Sequence, residues 1–349
     1  LGRIWTGILN SMPNGTNIHV MTFIEGESVL LGDLEAIFPH LNFQLYGCEA
    51  QRFNGIIYAQ DMLFASGKKS VDGRFKAFTG TLDGVLSHDD PISVIKAKGD
   101  TELAKKYPDT FELESFPTRL EGGDLQTTIL PSGESAIIVG DNNFRILVSY
   151  IIEGANKNGR DFQNGNFDYA YVGAKALLKQ YFGVDKVVVT DEQDILHRMV
   201  GNTLATFVQP KEDFYHVDMI SRTAVCPDGG YVAFCTNPDK SITKMGSEDF
   251  DYLQRIQNQF ASLEYEIELL PCGPYPSLNY TNVLMFTPEG GVPTVMMPFY
   301  GLESDMVAAL IYEKRGFKVI PVDMAHLLTL SEEDLEGVGS LHCLVETMA

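Results

Sequence analysis

Basic residues are scarce in this chain, 26 lysines and arginines against 47 acidic residues, giving a formal charge of −21. A nucleic-acid binder presents a basic face to phosphates, so this balance argues against one. It is compatible with a cationic substrate, although most of the carboxylates belong to solvated surface. Cysteine pairs are missing as well. The five cysteines, Cys48, Cys226, Cys235, Cys272 and Cys343, are odd in number and widely scattered, with no CxxC among them. That removes a disulfide framework and a zinc site, and no metal is expected. Reduced thiols fit a cytoplasmic protein, with a leader removed before Leu1 left open. No apolar run approaches the length of a membrane span, and the first residues lack the charged-then-apolar order of a signal peptide.

What is present is apolar material, 44% of 349 residues, enough to bury a substantial core. It is distributed with a pattern. The spacing predicts a helix and then a strand at Ser28–Phe38 and Asn42–Tyr46, Ile92–Tyr107 and Thr110–Ser115, Asp168–Phe182 and Lys186–Thr190, Glu248–Leu263 and Glu264–Leu270, and Glu303–Arg315 and Lys318–Val322. Three copies run on into two apolar strands around Pro131-Ser132-Gly133, Pro227-Asp228-Gly229-Gly230 and Pro288-Glu289-Gly290-Gly291, each a hairpin signal. Five helix-strand copies mean a repeat architecture. The last copy has too little chain after Cys343 to finish its own hairpin. The N-terminal strand Asn17–Phe23 is the natural piece to complete it, closing a ring with no open edge between first and last units. The expectation is a single catalytic domain over residues 1–349; two unrelated α/β domains are the less economical alternative. Glu153–Asn166, rich in Gly and Asn, reads as a surface loop near the site.

Short polar motifs recur at equivalent places in these copies: Tyr58-Ala59-Gln60-Asp61, Leu120-Glu121-Gly122-Gly123-Asp124, Tyr215-His216-Val217-Asp218, Asn279-Tyr280-Thr281-Asn282 and Gly339-Ser340-Leu341-His342-Cys343. In a closed repeat they converge on its axis. Cys343 stands behind glycines and a serine near the C-terminus, a position suited to a presented nucleophile, although a lone cysteine is more often buried and structural. The thiolate is the reactive form, and His216 is the candidate acid and base. Asp61, Asp218 and Glu121 bring three carboxylates to one thiolate, and they would repel one another without a cation. A hard cation or a planar substrate cation could balance them. A guanidinium fits better: its N–H fork pairs with carboxylates and leaves the central carbon open to sulfur from one face.

Taken together, Tyr-Ala-Gln-Asp61, Glu121-Gly-Gly-Asp124, His216-Val-Asp218, Asn-Tyr-Thr-Asn282 and Gly-Ser-Leu-His-Cys343 resemble the guanidino-group-modifying enzymes of the pentein fold, a five-bladed α/β propeller with five-fold pseudo-symmetry. The resemblance spans nearly the whole chain. It is strongest to the branch of agmatine deiminases and bacterial peptidylarginine deiminases. It implies Cys343 as nucleophile, His216 as acid and base, and Asp61 and Asp218 as the guanidinium clamp. Glu121 would orient His216 or the substrate, Asn282 would help near the nucleophile, Tyr58 would contact the substrate, and no cofactor is implied. The implied reaction is hydrolysis of agmatine, arginine or peptidyl-arginine to the ureido product and ammonia. Tyr58 and Gln60 stand where agmatine deiminases commonly carry Trp and Arg, and Phe214-Tyr215 where they tend to have Asp-Gly. Gln60-Asp61-Met62 is closer to the first motif of peptidylarginine deiminases.

Alternatives on the same residues are an amidinotransferase, separated by a requirement for an added amine, a dimethylarginine-type hydrolase, and a non-catalytic arginine-binding protein indifferent to alkylation of Cys343. Free arginine would also need a carboxylate partner, for which Arg119, Arg145 and Arg222 are the candidates. The partner is therefore a small-molecule or peptide guanidino substrate, with no nucleic acid and no membrane; the sequence leaves the oligomeric state open.

Overall fold

The computed structural model describes residues 2–22, 27–47, 64–69, 72–80, 111–118, 120, 122–157, 167–199, 216–241, 243, 245–330 and 341. The expected helix Ile92–Tyr107, the motif Tyr58–Asp61, and Arg119, Glu121 and Cys343 lie outside them. The described elements run in the order α1 (Gly2–Ser11), β1 (Asn17–Thr22), α2 (Glu27–Ile37), β2 (Asn42–Gly47), β3 (Phe64–Lys69), β4 (Phe75–Gly80), β5 (Phe111–Phe116), β6 (Leu125–Ile129), β7 (Ser135–Val139), α3 (Asp141–Lys157), α4 (Phe167–Phe182) and β8 (Lys186–Val189). They continue with α5 (Glu192–Met199), α6 (Val217–Ile220), β9 (Ser221–Val225), β10 (Tyr231–Thr236), α7 (Ser247–Ser262), β11 (Glu266–Leu270), β12 (Leu284–Phe286), β13 (Thr294–Phe299), α8 (Glu303–Lys314) and β14 (Lys318–Asp323). Two 3-10 turns, Gly122–Asp124 and Ala325–Thr329, complete the set.

These strands form five sheets, four of which share one wiring. In each of the four a hairpin is antiparallel, its second strand is central, and a later strand joins the other side in parallel: β3-β4-β5, β6-β7-β8, β9-β10-β11 and β12-β13-β14. The parallel partner needs a long crossover, which α3 and α4 supply between β7 and β8, α7 between β10 and β11, and α8 between β13 and β14. The Pro-x-Gly turns serve the hairpins directly. Gly133, Gly229 and Gly290 have φ of +85°, +88° and +64°, a left-handed conformation that a side chain makes costly. Helix faces match the expected periodicity. In α4, Ala170, Ala174, Leu178 and Phe182 are buried at intervals of one turn, while Tyr169 and Val172 face outward. The central strands β7, β10 and β13 are largely apolar and buried along nearly their whole length. Ile137, Ile138 and Val139, all fully buried, each contribute about 1.5 to 3 kcal/mol of burial free energy relative to exposure.

Three differences from expectation have local causes. The strand expected from Glu264 begins at Glu266, because Glu264 ends α7 in a left-handed conformation (φ 68°) and cannot pair in a ladder. The loop expected at Glu153–Asn166 is helical as far as Lys157: Phe144, Leu147, Val148 and Ile152 form one buried stripe that carries α3 onward. The first and last sheets meet through α1, to which the sequence analysis assigned no element. Its Ile8 is buried with Val322 and Met324, and its Leu9 with Phe38, Leu41 and Phe43. A methyl at Gly7 would lie 3.2 Å from Val322 Cγ1, so the helix packs closely on β14. β1 itself pairs with β2 in parallel, in the way each central strand pairs with its outer one.

One ion cluster joins neighbouring units. Arg315, directly after α8, holds Glu266 through Nη2 at 2.7 Å and Glu268 through Nη2 at 2.7 Å and Nε at 2.8 Å, and Asp228 of the β9–β10 turn lies 3.5 Å from Nη1. The Arg315 side chain is 14% exposed and that of Glu268 17%, so these are not freely solvated charges. Replacing Arg315 by alanine leaves Glu268 sunken beside Glu266 without its fork partner, and a loss of about 2 kcal/mol in stability is expected. Urea unfolding of the wild type and Arg315→Ala measures it; an unchanged midpoint would reduce the cluster to surface decoration.

Candidate active site

Three described polar motifs each lie just ahead of the first strand of a hairpin, and this placement brings them together. The turn Gly122–Asp124 leads into β6, His216 and α6 lead into β9, and Asn279–Asn282 lead toward β12. Helix α6 lies against both the Gly122–Asp124 turn and β6. Gln126 of β6 reinforces that contact, its Oε1 accepting from Thr223 N at 3.2 Å and Thr223 Oγ1 at 3.1 Å. On the other side Thr236 Oγ1 donates to the Met219 carbonyl at 2.8 Å and shares a hydrogen bond of 3.2 Å with Thr281 Oγ1, linking α6 to the Asn279–Asn282 segment. Leu341, two residues before Cys343, is fully buried in the cluster that contains Leu278, Tyr280 and Val283. Motifs separated by tens of residues in the chain are thus neighbours.

His216 is the residue that caps α6 at its N-terminus, with extended backbone (φ −114°, ψ 142°) and no side-chain capping bond, so the imidazole is not consumed in starting the helix. Its side chain is half-buried. Asp218 sits in the first turn of the same helix and is 2% exposed. A carboxylate buried so deeply is costly unless a charge or donors meet it. Asp124 is buried as well. Its Oδ2 accepts from Asn143 N at 2.9 Å at the start of α3, and its carboxylate lies directly over Gly140, where a Cβ would fall 1.4 Å from Oδ1. Gly140 is a glycine because no methyl fits beneath Asp124, and Asp124 is a helix cap.

Asn282 is fully buried, and its backbone N–H donates to Asn279 Oδ1 at 3.0 Å. Asn279 was not singled out in the sequence. Its side chain folds this segment, also accepting from Thr281 Oγ1 at 3.0 Å and donating to the Pro276 carbonyl at 3.0 Å. The tyrosines behind it fix the segment in turn: Tyr300 donates to the Asn279 carbonyl at 3.0 Å, Tyr312 to the Tyr280 carbonyl at 2.9 Å, and Tyr280 to Asp305 Oδ1 at 2.6 Å. An Asn followed two residues later by Thr is an Asx-type turn signal and could have disclosed this role. Of the three arginines named as carboxylate anchors, Arg145 is 1% exposed and its guanidinium is held by Asp141 one helical turn away, so it is committed to the fold. Arg222 lies in β9, past the motif.

The cysteines divide clearly. Cys226, Cys235 and Cys272 are buried, and burial is the main cause pushing each thiol up to about 12. They hold almost no thiolate at neutral pH and cannot act as nucleophiles there. Among the described residues no group of three His, Cys, Asp or Glu side chains is arranged to hold a metal ion, and no helix is long and apolar enough to cross a membrane.

No protein-family model matches the chain, and no curated protein matches it by sequence. Solved structures do match. An agmatine deiminase from C. jejuni aligns with 97% of this chain and 84% of its own, at 15% identity and a TM-score of 0.59. An agmatine deiminase of Enterococcus faecalis aligns with 98% of this chain and 85% of its own, at 15% identity and a TM-score of 0.55. A substrate-bound variant of the C. jejuni enzyme gives 98% and 84% at 14% identity and a TM-score of 0.56. Over nearly its whole length, therefore, this chain has the α/β fold of the agmatine deiminase structures.

Proposed function

We propose that the protein is a guanidine deiminase, converting a guanidino compound and water to the ureido product and ammonia through a covalent intermediate on Cys343. The observation that carries this reading is the meeting of His216 and Asp218 with the Gly122–Asp124 turn and the Asn279–Asn282 segment, in a chain with the fold of agmatine deiminase structures. Five such units close into a propeller in this reading, with α1 sealing the junction of the first and last sheets. Asp218 and Asp61 grip the guanidinium N–H groups, and Tyr58 and Glu121 complete the walls.

The chemistry follows from that grip. The Cys343 thiolate adds to the guanidinium carbon, forming a C–S bond and a tetrahedral carbon. His216 gives a proton to one terminal nitrogen, which leaves as ammonia when its C–N bond breaks. A planar thiouronium remains on sulfur. The same imidazole, now neutral, takes a proton from water, whose oxygen attacks the carbon; the C–S bond breaks, the ureido product leaves and the thiolate is restored. No redox change occurs and no cofactor is consumed. Glu121 orients His216, and Asn282 supports the nucleophile from its buried segment.

A panel of agmatine, free arginine, N-methylated arginine and an arginine-containing peptide, read by ammonia release, tests the assignment. Release from at least one, with the matching ureido product and no added amine, is the expected result. Arg145 is spent on Asp141, so it is not expected to serve a substrate carboxylate. A chain that binds these compounds with no release of ammonia, or that turns them over only when an amine is supplied, is not a deiminase.

A further inference from the structure

Helix α8 turns an apolar line to solvent. Glu303, Val307, Leu310 and Lys314 follow one another at intervals of four, three and four residues, which places them on one seam down the helix, and all four are exposed. Val307 is 51% exposed and Leu310 58%, and Met306 beside them, also 58%, widens the middle of the seam into a patch. Single exposed apolar residues are ordinary, but a contiguous group marks a contact surface. The preceding unit supplies the comparison. Counted back from the C-caps, Arg315 for α8 and Leu263 for α7, the same four places in α7 hold Asp251, Arg255, Asn258 and Ser262, all exposed and all polar. Helix α7 packs on β10 and β11 as α8 does on β13 and β14, so the unit itself does not require apolar residues there.

We propose that α8 is the contact face of a homodimer, two copies of the chain paired through antiparallel α8 helices. The seam is complementary to itself. Its middle is apolar and its ends carry opposite charges, Glu303 in the first turn and Lys314 in the last. A second copy laid antiparallel about a two-fold axis midway between Ala308 and Ala309 sets Val307 against Leu310 and Glu303 against Lys314, each contact occurring twice. The helix dipoles then oppose one another, whereas a parallel copy would set like charges together at both ends. Lys314 is available for the pairing: its side chain is 75% exposed, and its ion pair within the chain, to Glu268, is long at 3.8 Å. A standard interface buries about 800 Å² a side, and one helix seam supplies less, so a weak dimer is expected, with a Kd of about 10 to 100 μM. At about 0.15 M salt the Debye length is about 8 Å, which confines the repulsion between two chains of formal charge −21 to groups near the contact. The proposal does not rest on the deiminase reading.

Sedimentation equilibrium of the full chain, from about 1 to about 300 μM at that salt, tests it, and the wild type is expected to pass from one chain toward two. Leu310→Glu puts a carboxylate in the apolar middle and is expected to weaken the dimer at least about tenfold. Glu303→Lys and Lys314→Glu each set like charges together at both ends, and each is expected to weaken it at least about fivefold. The double variant carrying both exchanges restores opposite charges at both ends and is expected to return to within about twofold of the wild type. All of these places are exposed, so the variants are expected to fold, and thermal melts on the same samples check that. A wild type that stays a single chain up to about 300 μM, a dimer indifferent to Leu310→Glu, or a double variant no tighter than either single one would overturn the proposal.

Discussion

Cys343→Ser is expected to fold and melt like the wild type and to release no ammonia from any guanidino substrate. A serine hydroxyl in the same place offers no significant anionic fraction at neutral pH, and attack on a resonance-stabilised guanidinium carbon requires an anionic or strongly activated nucleophile. The expected loss in turnover is at least about a thousandfold, more than one misplaced hydrogen bond would cause. The remaining thiols sharpen the test. With burial pushing Cys226, Cys235 and Cys272 up to about 12, iodoacetamide at neutral pH has little thiolate to capture at those positions in the folded chain. With Cys48, the fourth remaining thiol, replaced by alanine, alkylation of the native chain is thus expected to remove activity with modification mapped by mass spectrometry to Cys343, and a guanidino substrate should slow it. Activity close to wild type in the serine variant would end the covalent mechanism.

Much of the architecture could be read from the sequence because it repeats. Helices α2, α4, α7 and α8 lie within a residue of their expected ends, and the hairpins lie around their Pro-x-Gly turns, since periodicity and left-handed glycines are local properties. Helix α3 could not be read that way. Its stretch Arg145 to Ile152 is rich in apolar and β-branched residues and has no obvious polar face; it is helical because the Asp124 carboxylate caps its first turn from outside and Phe144, Leu147, Val148 and Ile152 find a core to fill. Those causes are tertiary. The site divides along the same line. The place of His216 and Asp218, just ahead of β9, was legible from the repeat position, and their roles are the proposal made above. The work of Asn279, Thr281 and Thr236 was legible only in part: the first two stand in a named motif with an Asx-type spacing, but that they and Thr236 tie segments together depends on tertiary contacts. Asp124 shows the converse. It stands in a candidate motif and is buried like Asp218, yet its contacts explain it as a cap.

That contrast sets the second large effect. Asp218→Asn is expected to lower kcat/KM at least about a hundredfold, because the substitution keeps the shape but removes the charge and turns one acceptor into a donor facing a cation. A charge-assisted hydrogen bond is worth about 1.5 to 3 kcal/mol, and a cation left without its counter-charge in a buried place costs more. Asp218 is 2% exposed, so solvent offers little screening to soften the loss. Asp61→Asn should behave alike if it forms the other arm, and the double variant should lose less than the product of the two, since a guanidinium misaligned by one arm no longer profits fully from the other. Asp124→Asn is the control. An asparagine there can still accept from the Asn143 backbone, so its effect should fall on melting temperature more than on turnover. Kinetics and thermal unfolding on the same preparations separate the cases: an Asp218→Asn enzyme within a few fold of wild type would mean that no cation is held by this carboxylate, and the guanidine assignment would fall with it.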